Sequence, residues 1–374
     1  MRVHTRKWLF VGAIVLAATV LAACGNDEGT TTSSVAGPDT TAASPDTTAA
    51  SSETTTGAPS ADEEIQLVLL VPELANPYWA AGVAGAEDAA ADLGVEMVIS
   101  GTADFTVDEY VTQLQNAISG GADGVLIAPG DPNAGLAVIE EARAQEVAVA
   151  TVIVDSPDSE RQFFVGPNAV RQGEQQARRV LAELNNRGAT GSVAAAVTSC
   201  SPDAISQVVQ REAFERVLTD ENEYSDAFTV EVVTFLDATA EPETNLATFE
   251  NLAQAQPDLQ IVFPMCGIDT ISAGTVAKRL ETGWIVSGDA WVPDTLDLIE
   301  EGYITWSVNE APYENIALAV TQMTQALRGE MEMPSGIFFA DEQIAVIDVD
   351  AMAYLPADEI VSVEEARTSP DAVG

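Results

Sequence analysis

The sequence contains almost no histidine and little positive charge. His4 is the only histidine, so triads and metal sites that need imidazole have no such residue in the body of the chain. Lys and Arg number 15 against 59 Asp and Glu, which gives a formal charge of −44. Because nucleic-acid binding relies on clustered Lys and Arg that neutralise phosphates, we expect no nucleic-acid partner.

Sequence motifs of common catalytic sites are also absent. The chain has no Gly-x-Ser-x-Gly elbow, no Gly-x-x-x-x-Gly-Lys phosphate loop, no Cys-x-x-Cys pair and no Gly-x-Gly-x-x-Gly after a strand. Paired acids such as Asp155 and Asp289 could in principle cleave a glycoside, but such pairs are common in a chain this acidic. We therefore expect no catalytic residues, no cofactor and no metal, and a protein that is not an enzyme.

The first 24 residues have the composition of an export signal. Arg2, Arg6 and Lys7 precede an apolar run at 8–23, which is short for a permanent membrane span. Leu-Ala-Ala-Cys-Gly at 21–25 resembles the lipobox of bacterial lipoproteins, in which the cysteine is lipidated. We expect a lipid on Cys24 and an extracytoplasmic protein anchored to the cell membrane. An ordinary signal peptide or an uncleaved anchor is the alternative.

Residues 25–63 form a stretch of very different composition. Thr, Ser, Ala, Pro, Gly and Asp dominate it, and it has no aromatic residue. A segment of this kind cannot bury enough apolar surface to offset its chain entropy. We expect a disordered linker between the membrane anchor and the folded part.

From residue 64 onwards, short β-rich runs alternate with helical stretches. Nearly continuous Val, Ile, Leu and Ala in short runs is typical of parallel strands buried on both faces. The predicted strands are 66–71, 95–99, 124–128, 148–154, 163–165, 192–198, 230–236, 261–264, 284–287 and 304–308. We expect an α/β protein with two doubly wound parallel-sheet lobes and a hinge. The predicted first lobe is 64–167 with 311–335, the second is 168–310 with 336–356, and 357–374 is a tail.

The first helix has clear boundary signals. Asn76 can cap it, Pro77 suits its first position, and Gly94 ends it. The loop before it therefore follows a strand, and ligands in open α/β sheets bind outside the carboxyl ends of the strands. Since Tyr78 and Trp79 are consecutive on this helix, we expect at least one of them to face that edge.

Several segments resemble periplasmic sugar-binding proteins related to ribose-binding protein. The matching segments are Asn-Pro-Tyr-Trp at 76–79, Gly-Ala-Glu at 85–87, Leu-Gly at 93–94, Gly-Gly-Ala-Asp-Gly-Val-Leu-Ile-Ala-Pro at 120–129, Val-Ile-Val-Asp at 152–155 and Val-Ser-Gly-Asp at 286–289. The resemblance covers about residues 65–350 and identifies the type I periplasmic-binding fold. It implies two lobes, joined by three crossings, that close on a small ligand.

The resemblance also implies ligand-binding residues. Asn76 matches a polar contact of the family, and Tyr78 and Trp79 match its stacking rings. Asp155 and Asp289 match carboxylates that follow a strand in each lobe. A carboxylate accepts hydrogen bonds from neighbouring hydroxyls, and an aromatic face covers the apolar side of a sugar ring. The alternative is that both aspartates are helix caps or turn residues.

The chain departs from the family at two polar positions. Gln210 stands where the family usually has an arginine, and Arg211 is one position away, a rotation of about 100° on a helix. Glu310, beside Asn309, stands where the family has a glutamine. The family's asparagine falls near Gly267, so that contact is expected to be lost.

These departures leave the candidate cleft acidic. Asp155, Asp289 and Glu310, with Glu73, face no cation that the sequence identifies. We expect a small sugar or polyol as the ligand. The alternative is a cationic amine or amine oxide, held by Tyr78, Trp79 and Trp291 through cation–π contacts. In that case the buried acids would favour the positive charge of the ligand.

Two cysteines remain once Cys24 carries lipid. Cys200 and Cys266 each follow a strand of the second lobe, and those strands are neighbours in the 2-1-3-4-5 order. An exported setting favours a bridge, so we expect a disulfide at the cleft rim; two free thiols are the alternative.

Together these features predict the solute-binding lipoprotein of an ABC importer. We expect a monomer whose partners are its ligand, the ABC permease and, through the lipid, the membrane. A ligand sensor for a membrane receptor has the same fold and is the alternative. Neighbouring permease and ATPase genes would favour import, whereas a kinase gene would favour sensing.

Overall fold

The computed structural model of the chain describes residues 65–103, 106–131, 133–239, 241–338, 346–347 and 360–372. The predicted export signal, Cys24 and the linker at 25–63 lie outside these residues. Across the described ranges, no helix is both long enough and apolar enough to cross a membrane.

Strands and helices alternate along the described chain. The first run is β1 (Gln66–Glu73), α1 (Pro77–Leu93), β2 (Glu96–Thr102), α2 (Val107–Ser119), β3 (Gly124–Ile127), α3 (Leu136–Ala144), β4 (Ala148–Val152) and β5 (Phe163–Val165). The second run is α4 (Ala169–Asn186), β6 (Gly191–Ser199), α5 (Ile205–Thr219), β7 (Phe228–Asp237), α6 (Pro242–Ala255), β8 (Leu259–Pro264), α7 (Gly267–Leu280), β9 (Ile285–Asp289), α8 (Pro293–Glu300) and β10 (Trp306–Val308). The remaining elements are α9 (Pro312–Leu327), β11 (Gly336–Phe338), β12 (Val346–Ile347), β13 (Ile360–Val361), α10 (Val363–Ala366) and a 3-10 turn (Pro370–Ala372).

Each lobe is built on one sheet. The first sheet has the order β2-β1-β3-β4-β5-β11, and the second has β7-β6-β8-β9-β10-β12-β13. All pairs in the first sheet are parallel, whereas β10 and β12 in the second are antiparallel. The expected doubly wound α/β fold is confirmed, with the order 2-1-3-4-5 in both lobes.

Two described segments of chain run between the lobes. Residues 166–168 lead from β5 to α4, and residues 309–311 lead from β10 to α9. Helix α9 packs against α1, so the chain returns to the first lobe. The described residues thus contain two complete crossings, and Glu310 lies on the second.

The C-terminal segments that belong to each lobe differ from those predicted from the sequence. Strand β11 pairs with β5, so residues 336–338 belong to the first sheet and not to the second lobe. Strand β13 pairs with β12, and α10 packs against α8, so residues 360–372 extend the second lobe and are not a separate tail. Strands β11 and β13 have only three and two residues, and tertiary contacts set their partners.

Helix α1 begins and ends where the sequence predicts. The Asn76 Oδ1 atom accepts a hydrogen bond from the Tyr78 backbone N–H at 3.1 Å. Gly94 adopts a left-handed conformation with φ 65° and ends the helix. These two caps place Tyr78 in the first turn, at the carboxyl edge of the first sheet.

Glycines permit close helix packing at corresponding places in the two lobes. A Cβ atom on Gly85 of α1 would overlap the Tyr313 carbonyl oxygen of α9. A Cβ atom on Gly173 of α4 would likewise overlap the Gln210 carbonyl oxygen of α5. The packing of α4 on α5 therefore fixes the position of Gln210 relative to its neighbours.

Cys200 and Cys266 form the predicted disulfide. Their Cα atoms are 6.2 Å apart, within the range that a disulfide spans. Cys200 follows β6, and Cys266 follows β8 and precedes α7; β6 and β8 are paired neighbours. The bridge therefore lies at the carboxyl edge of the second sheet, as expected.

Candidate functional site

Asp289 ends β9 and is enclosed at the carboxyl edge of the second sheet. Its side chain is 1% exposed, and its Oδ1 atom accepts a hydrogen bond from the Ala290 N–H at 3.0 Å. Its Oδ2 atom accepts one from Gln210 Nε2 at 3.4 Å. Gln210 Nε2 also donates to Gln176 Oε1 at 3.2 Å. Helices α4 and α5 thus hold two amide side chains against the end of β9.

Glu310 brings a second carboxylate to this corner. It lies near the Tyr78 hydroxyl of α1 and the Gln172 amide of α4. Gln172 is 1% exposed, and within the described ranges neither its amide atoms nor the enclosed Tyr78 hydroxyl closes a hydrogen bond. Enclosed polar groups without partners are costly, and a ligand can supply the missing donors and acceptors. This corner joins the first lobe, the second lobe and a crossing.

The two carboxylates perturb each other. Burial raises the pKa of Glu310, while the neighbouring Tyr78 and Gln172 side chains oppose that rise. Burial raises the pKa of Asp289 well above its usual value, and the negative charge of Glu310 raises it further. The site therefore favours a ligand that brings hydrogen-bond donors or a positive charge.

A third enclosed carboxylate lies close to Asp289. Asp269, in the first turn of α7, is 0% exposed, and its Oδ2 atom accepts a hydrogen bond from Thr198 Oγ1 at 2.6 Å. Burial raises the pKa of Asp269 to about 7, and its charge adds to the raised pKa of Asp289. Even so, no group of three His, Cys, Asp or Glu side chains in the described part of the chain is arranged to hold a metal ion.

Asp155 follows the fourth strand of the first lobe, but its own lobe engages it completely. Arg161 pairs with both of its oxygens, Nε with Oδ1 at 2.5 Å and Nη2 with Oδ2 at 2.6 Å. Thr151 Oγ1 and the Ser156 N–H also donate to Oδ1, at 2.7 and 2.8 Å. The expectation of acids without a cation was wrong here, because Arg161 neutralises Asp155.

The adjacent aromatic residues Tyr78 and Trp79 have different surroundings. Trp79 is 7% exposed and belongs to the apolar core of the first lobe, which explains why it does not face the cleft. The two rings meet edge to face with centroids 5.1 Å apart. Because consecutive helical residues point about 100° apart, only Tyr78 reaches the space between the lobes.

A small cavity of about 10 Å³ lies beside Tyr78. Its other walls include Trp291, Asn309 and Asp371. Trp291 is 5% exposed, and its Nε1 atom donates to the Ser307 carbonyl oxygen at 3.3 Å. Since such a volume holds about one water molecule, a sugar ring requires the walls to move apart.

A larger groove of about 490 Å³ lies on the outer surface between α7 and α8. Lys278, Arg279 and Glu301 line it, and the Lys278 Nζ atom pairs with a Glu301 carboxylate oxygen at 2.5 Å. This groove lies away from the carboxyl ends of the strands. Its two cations are already paired, Lys278 with Glu301 and Arg279 with Glu250, so we place the candidate site at the corner between the lobes.

The structure adds residues that the sequence did not identify. Besides Arg161, these are Gln172, Gln176 and Asp371. The two glutamines stand four residues apart on the buried face of α4, where apolar residues would be ordinary. This spacing of polar residues on a buried helix face could have identified both glutamines as candidate site residues. The oxygen of the predicted contact Asn76, by contrast, is engaged in capping α1.

Comparisons with known proteins agree with this architecture. Residues 67–331 match the periplasmic binding protein domain, so the chain belongs to that family. It is 26% identical over 201 residues to the ribose import binding protein of Bacillus subtilis, an alignment that spans 54% of this chain and 61% of that protein. The resemblance seen in the sequence is confirmed, and so is the expectation of a binding protein that is not an enzyme.

Solved structures share the fold. A glucose-galactose binding protein from Geobacillus stearothermophilus has a TM-score of 0.67 at 24% identity and covers 76% of this chain and 98% of its own. An ABC transporter solute-binding protein from Burkholderia graminis, in complex with D-arabinose, has a TM-score of 0.70 at 22% identity and covers 79% and 99%. At these identities the comparison establishes the two-lobed architecture.

Proposed function

We propose that the chain is the extracytoplasmic solute-binding lipoprotein of an ABC importer, and that it binds a small sugar or polyol between its lobes. The observation that carries this proposal is the enclosed corner of Gln172, Gln210 and Asp289, which lies beside the half-buried Glu310 and faces Tyr78. Family membership supports the extracytoplasmic binding role. The relatives named for ribose, arabinose, glucose and galactose support the ligand class.

The chemistry of the corner suits hydroxyl groups. The carboxylates of Asp289 and Glu310 accept hydrogen bonds from hydroxyls, and the amide of Gln172 both donates and accepts. The rings of Tyr78 and Trp291 offer apolar surface for the C–H groups of a sugar. We assign Asn76, Trp79 and Asp155 a role in positioning the site. Asn76 caps α1, Trp79 packs in the apolar core, and Asp155 is paired with Arg161.

Hinge closure provides the mechanism. Tyr78 belongs to the first lobe, Gln172 and Asp289 belong to the second, and Glu310 lies on a crossing. A ligand that contacts all of them stabilises the closed arrangement over an open one. The closed protein then docks on the permease as a monomer.

A second ligand class is favoured by one specific observation. Burial raises the pKa of Asp289, and the negative charge of the neighbouring Glu310 raises it further. A protonated or quaternary amine would relieve this repulsion, and Tyr78 and Trp291 could contact it through cation–π interactions. An amine or amine oxide is therefore the alternative ligand, and a ligand-sensing role is the alternative to import.

Thermal unfolding with a ligand panel tests the ligand class. The panel is D-ribose, D-arabinose, D-glucose, D-galactose, ribitol and choline. A ligand at 100 times its Kd adds about 2.7 kcal/mol to the free energy of unfolding. We expect stabilisation by a sugar or ribitol, lost in Asp289→Asn and kept in the exposed control Asp294→Asn. Stabilisation by choline alone would favour the amine over the sugar as the ligand. No stabilisation by any sugar or by ribitol would refute the proposed sugar or polyol ligand.

The lipid anchor needs its own test. We expect incorporation of radiolabelled palmitate into the wild-type protein and its recovery with membranes. Cys24→Ser should abolish both, whereas Cys200→Ser should leave the label in place. Label that persists in Cys24→Ser would contradict the anchor without touching the ligand-binding proposal.

A further inference from the structure

The C-terminal segment 360–372 is attached to the second lobe at its beginning. Strand β13 extends the second sheet, and Ala366 of α10 is fully buried in the apolar core beneath it. Arg367 Nη2 pairs with Asp297 and Glu300 of α8, at 2.7 and 3.0 Å. This end of the segment therefore moves with the second lobe.

The other end of the segment contacts a crossing and the first lobe. Asp371 is 5% exposed, and its Oδ2 atom accepts a hydrogen bond from Asn309 Nδ2 at 2.8 Å. Its Oδ1 atom accepts one from the backbone N–H of Tyr313 at 3.0 Å. Tyr313 is in the first turn of α9, which packs on α1. Only three residues thus separate Arg367, which is paired with the second lobe, from Asp371, which contacts the first.

Asp371 supplies a side-chain acceptor for the backbone N–H groups at the start of α9. The N-cap residue of this helix is Ala311, which has no side-chain acceptor for the first backbone N–H groups. A carboxylate at that place satisfies one of these donors and interacts favourably with the helix dipole. The contact therefore has the chemistry of a helix cap, provided from far along the chain.

The same carboxylate borders the candidate site. Asp371 lines the small cavity together with Tyr78 and Trp291. It is also among the negative charges near the Tyr78 hydroxyl. Any separation of Tyr78 from Trp291 must therefore move or break the contacts of Asp371.

We propose that residues 362–372 form a strap across the hinge, in which Asp371 is a positioning residue that holds the lobes together in the absence of ligand. The proposal deepens the hinge-closure mechanism of the proposed function. Its prediction concerns the ligand-free protein, so it can be tested whether or not a sugar binds. Freeing the strap should shift the ligand-free protein towards an open arrangement.

Distances between spin labels provide the test. Nitroxides are placed on Asp92→Cys of α1 and Asp220→Cys after α5, two exposed positions, in a chain carrying Cys24→Ser. Pulsed electron resonance then gives the distribution of distances between the lobes. The variants are Asp371→Ala and a chain ended after Arg367, and the matched control is Glu364→Ala, an exposed acid in the same segment.

The expected result is a longer-distance population in both strap variants and the wild-type distribution in Glu364→Ala. A cap with only a local structural role would lower the unfolding temperature of Asp371→Ala but leave the distance distribution unchanged, which would overturn the proposal. If Asp371→Ala fails to fold, the shortened chain decides the matter. The same distance distribution is then measured for the wild type with D-ribose or D-arabinose added in tenfold concentration steps. This titration reports separately on closure driven by the sugar.

Discussion

The chain turns in the same way after the fourth strand of each lobe, but the carboxylate next to each turn has different surroundings. In both, a non-glycine residue in the left-handed region turns the chain, Ile153 with φ 62° after β4 and Ala290 with φ 68° after β9. Side chains rarely adopt this conformation, least of all a β-branched one such as Ile153. In the first lobe Arg161 neutralises Asp155, whereas in the second Asp289 has Gln210 as its side-chain partner and Glu310 as a neighbour.

This difference separates a structural acid from an acid available to a ligand. Asp155 receives four hydrogen bonds from its own lobe, which leaves little capacity for a guest molecule. Asp289 is equally enclosed but retains a perturbed carboxylate near unpartnered polar groups. Acids near the ends of corresponding strands thus differ in their surroundings: Asp155 is paired within its own lobe, whereas Asp289 is the one that we propose for ligand recognition.

The largest expected effect is on the first lobe. Arg161→Leu leaves Asp155 enclosed without its cation, and removing one partner of a buried pair costs about 3–5 kcal/mol. Urea unfolding measures the loss. The control Arg178→Leu removes an exposed pair with Glu221 and should cost less than about 1 kcal/mol. Equal losses in the two variants would mean that the enclosure of Asp155 has no energetic importance.

The next effect concerns Asp269 and pH. Its folded pKa of about 7 lies above the ordinary value of an unfolded aspartate, so the folded state binds more protons between roughly pH 4 and 7. Its contribution to the free energy of unfolding therefore falls as the pH rises through this window. Asp269→Asn should remove that fall, a difference of at most about 4 kcal/mol by pH 8.

Urea unfolding between pH 4 and 8 measures this difference. The exposed variant Asp294→Asn should keep the wild-type slope. A slope in Asp269→Asn as steep as in the wild type would show that Asp269 ionises normally in the folded protein.

A smaller effect should have opposite signs in the two lobes. Burial raises the pKa of Asp289, so its carboxylate opposes folding when it ionises, and Asp289→Asn should be about 1 kcal/mol more stable than the wild type at pH 8. Asp155→Asn should instead lose about 1–3 kcal/mol, because its charge-assisted hydrogen bonds to Arg161 are broken. Urea unfolding at pH 8 measures both changes. If both variants lost stability, the two aspartates would not differ in their energetic roles.

The smallest expected change in stability follows removal of the Tyr78 hydroxyl. That hydroxyl closes no hydrogen bond in the described part of the chain, so Tyr78→Phe should alter the free energy of unfolding by less than about 1 kcal/mol. It should nevertheless reduce the stabilisation by whichever panel sugar acts on the wild type. A large loss of stability with unchanged sugar response would place Tyr78 among the structural residues.

Much of the fold could be predicted from the sequence because local patterns specify it. Short apolar runs predicted the ten main strands of the two sheets, and the caps of α1 predicted its ends. The disulfide followed from strand order once the fold was assigned. Strands β11 and β13 carry no such pattern, so the sheets to which they belong could not be predicted.

The candidate site was harder to predict because its polar contacts depend on tertiary structure. The family resemblance, and not the local pattern, predicted Asp289 and Glu310. Arg161 was overlooked because it lies in a loop without periodicity, yet the chain folds back to pair it with Asp155. Asp371 is far along the chain from its partner Asn309, and nothing in its local sequence indicates that contact.

The disulfide also makes the two lobes respond differently to a reductant. It closes a chain separation of 66 residues, which in the loop-entropy model stabilises the fold by about 4 kcal/mol. Cys200 and Cys266 are both in the second lobe, together with the buried acids Asp269 and Asp289. Dithiothreitol should therefore lower the stability of the second lobe before that of the first. A chain exported without its disulfide would have a destabilised second lobe and a first lobe of normal stability.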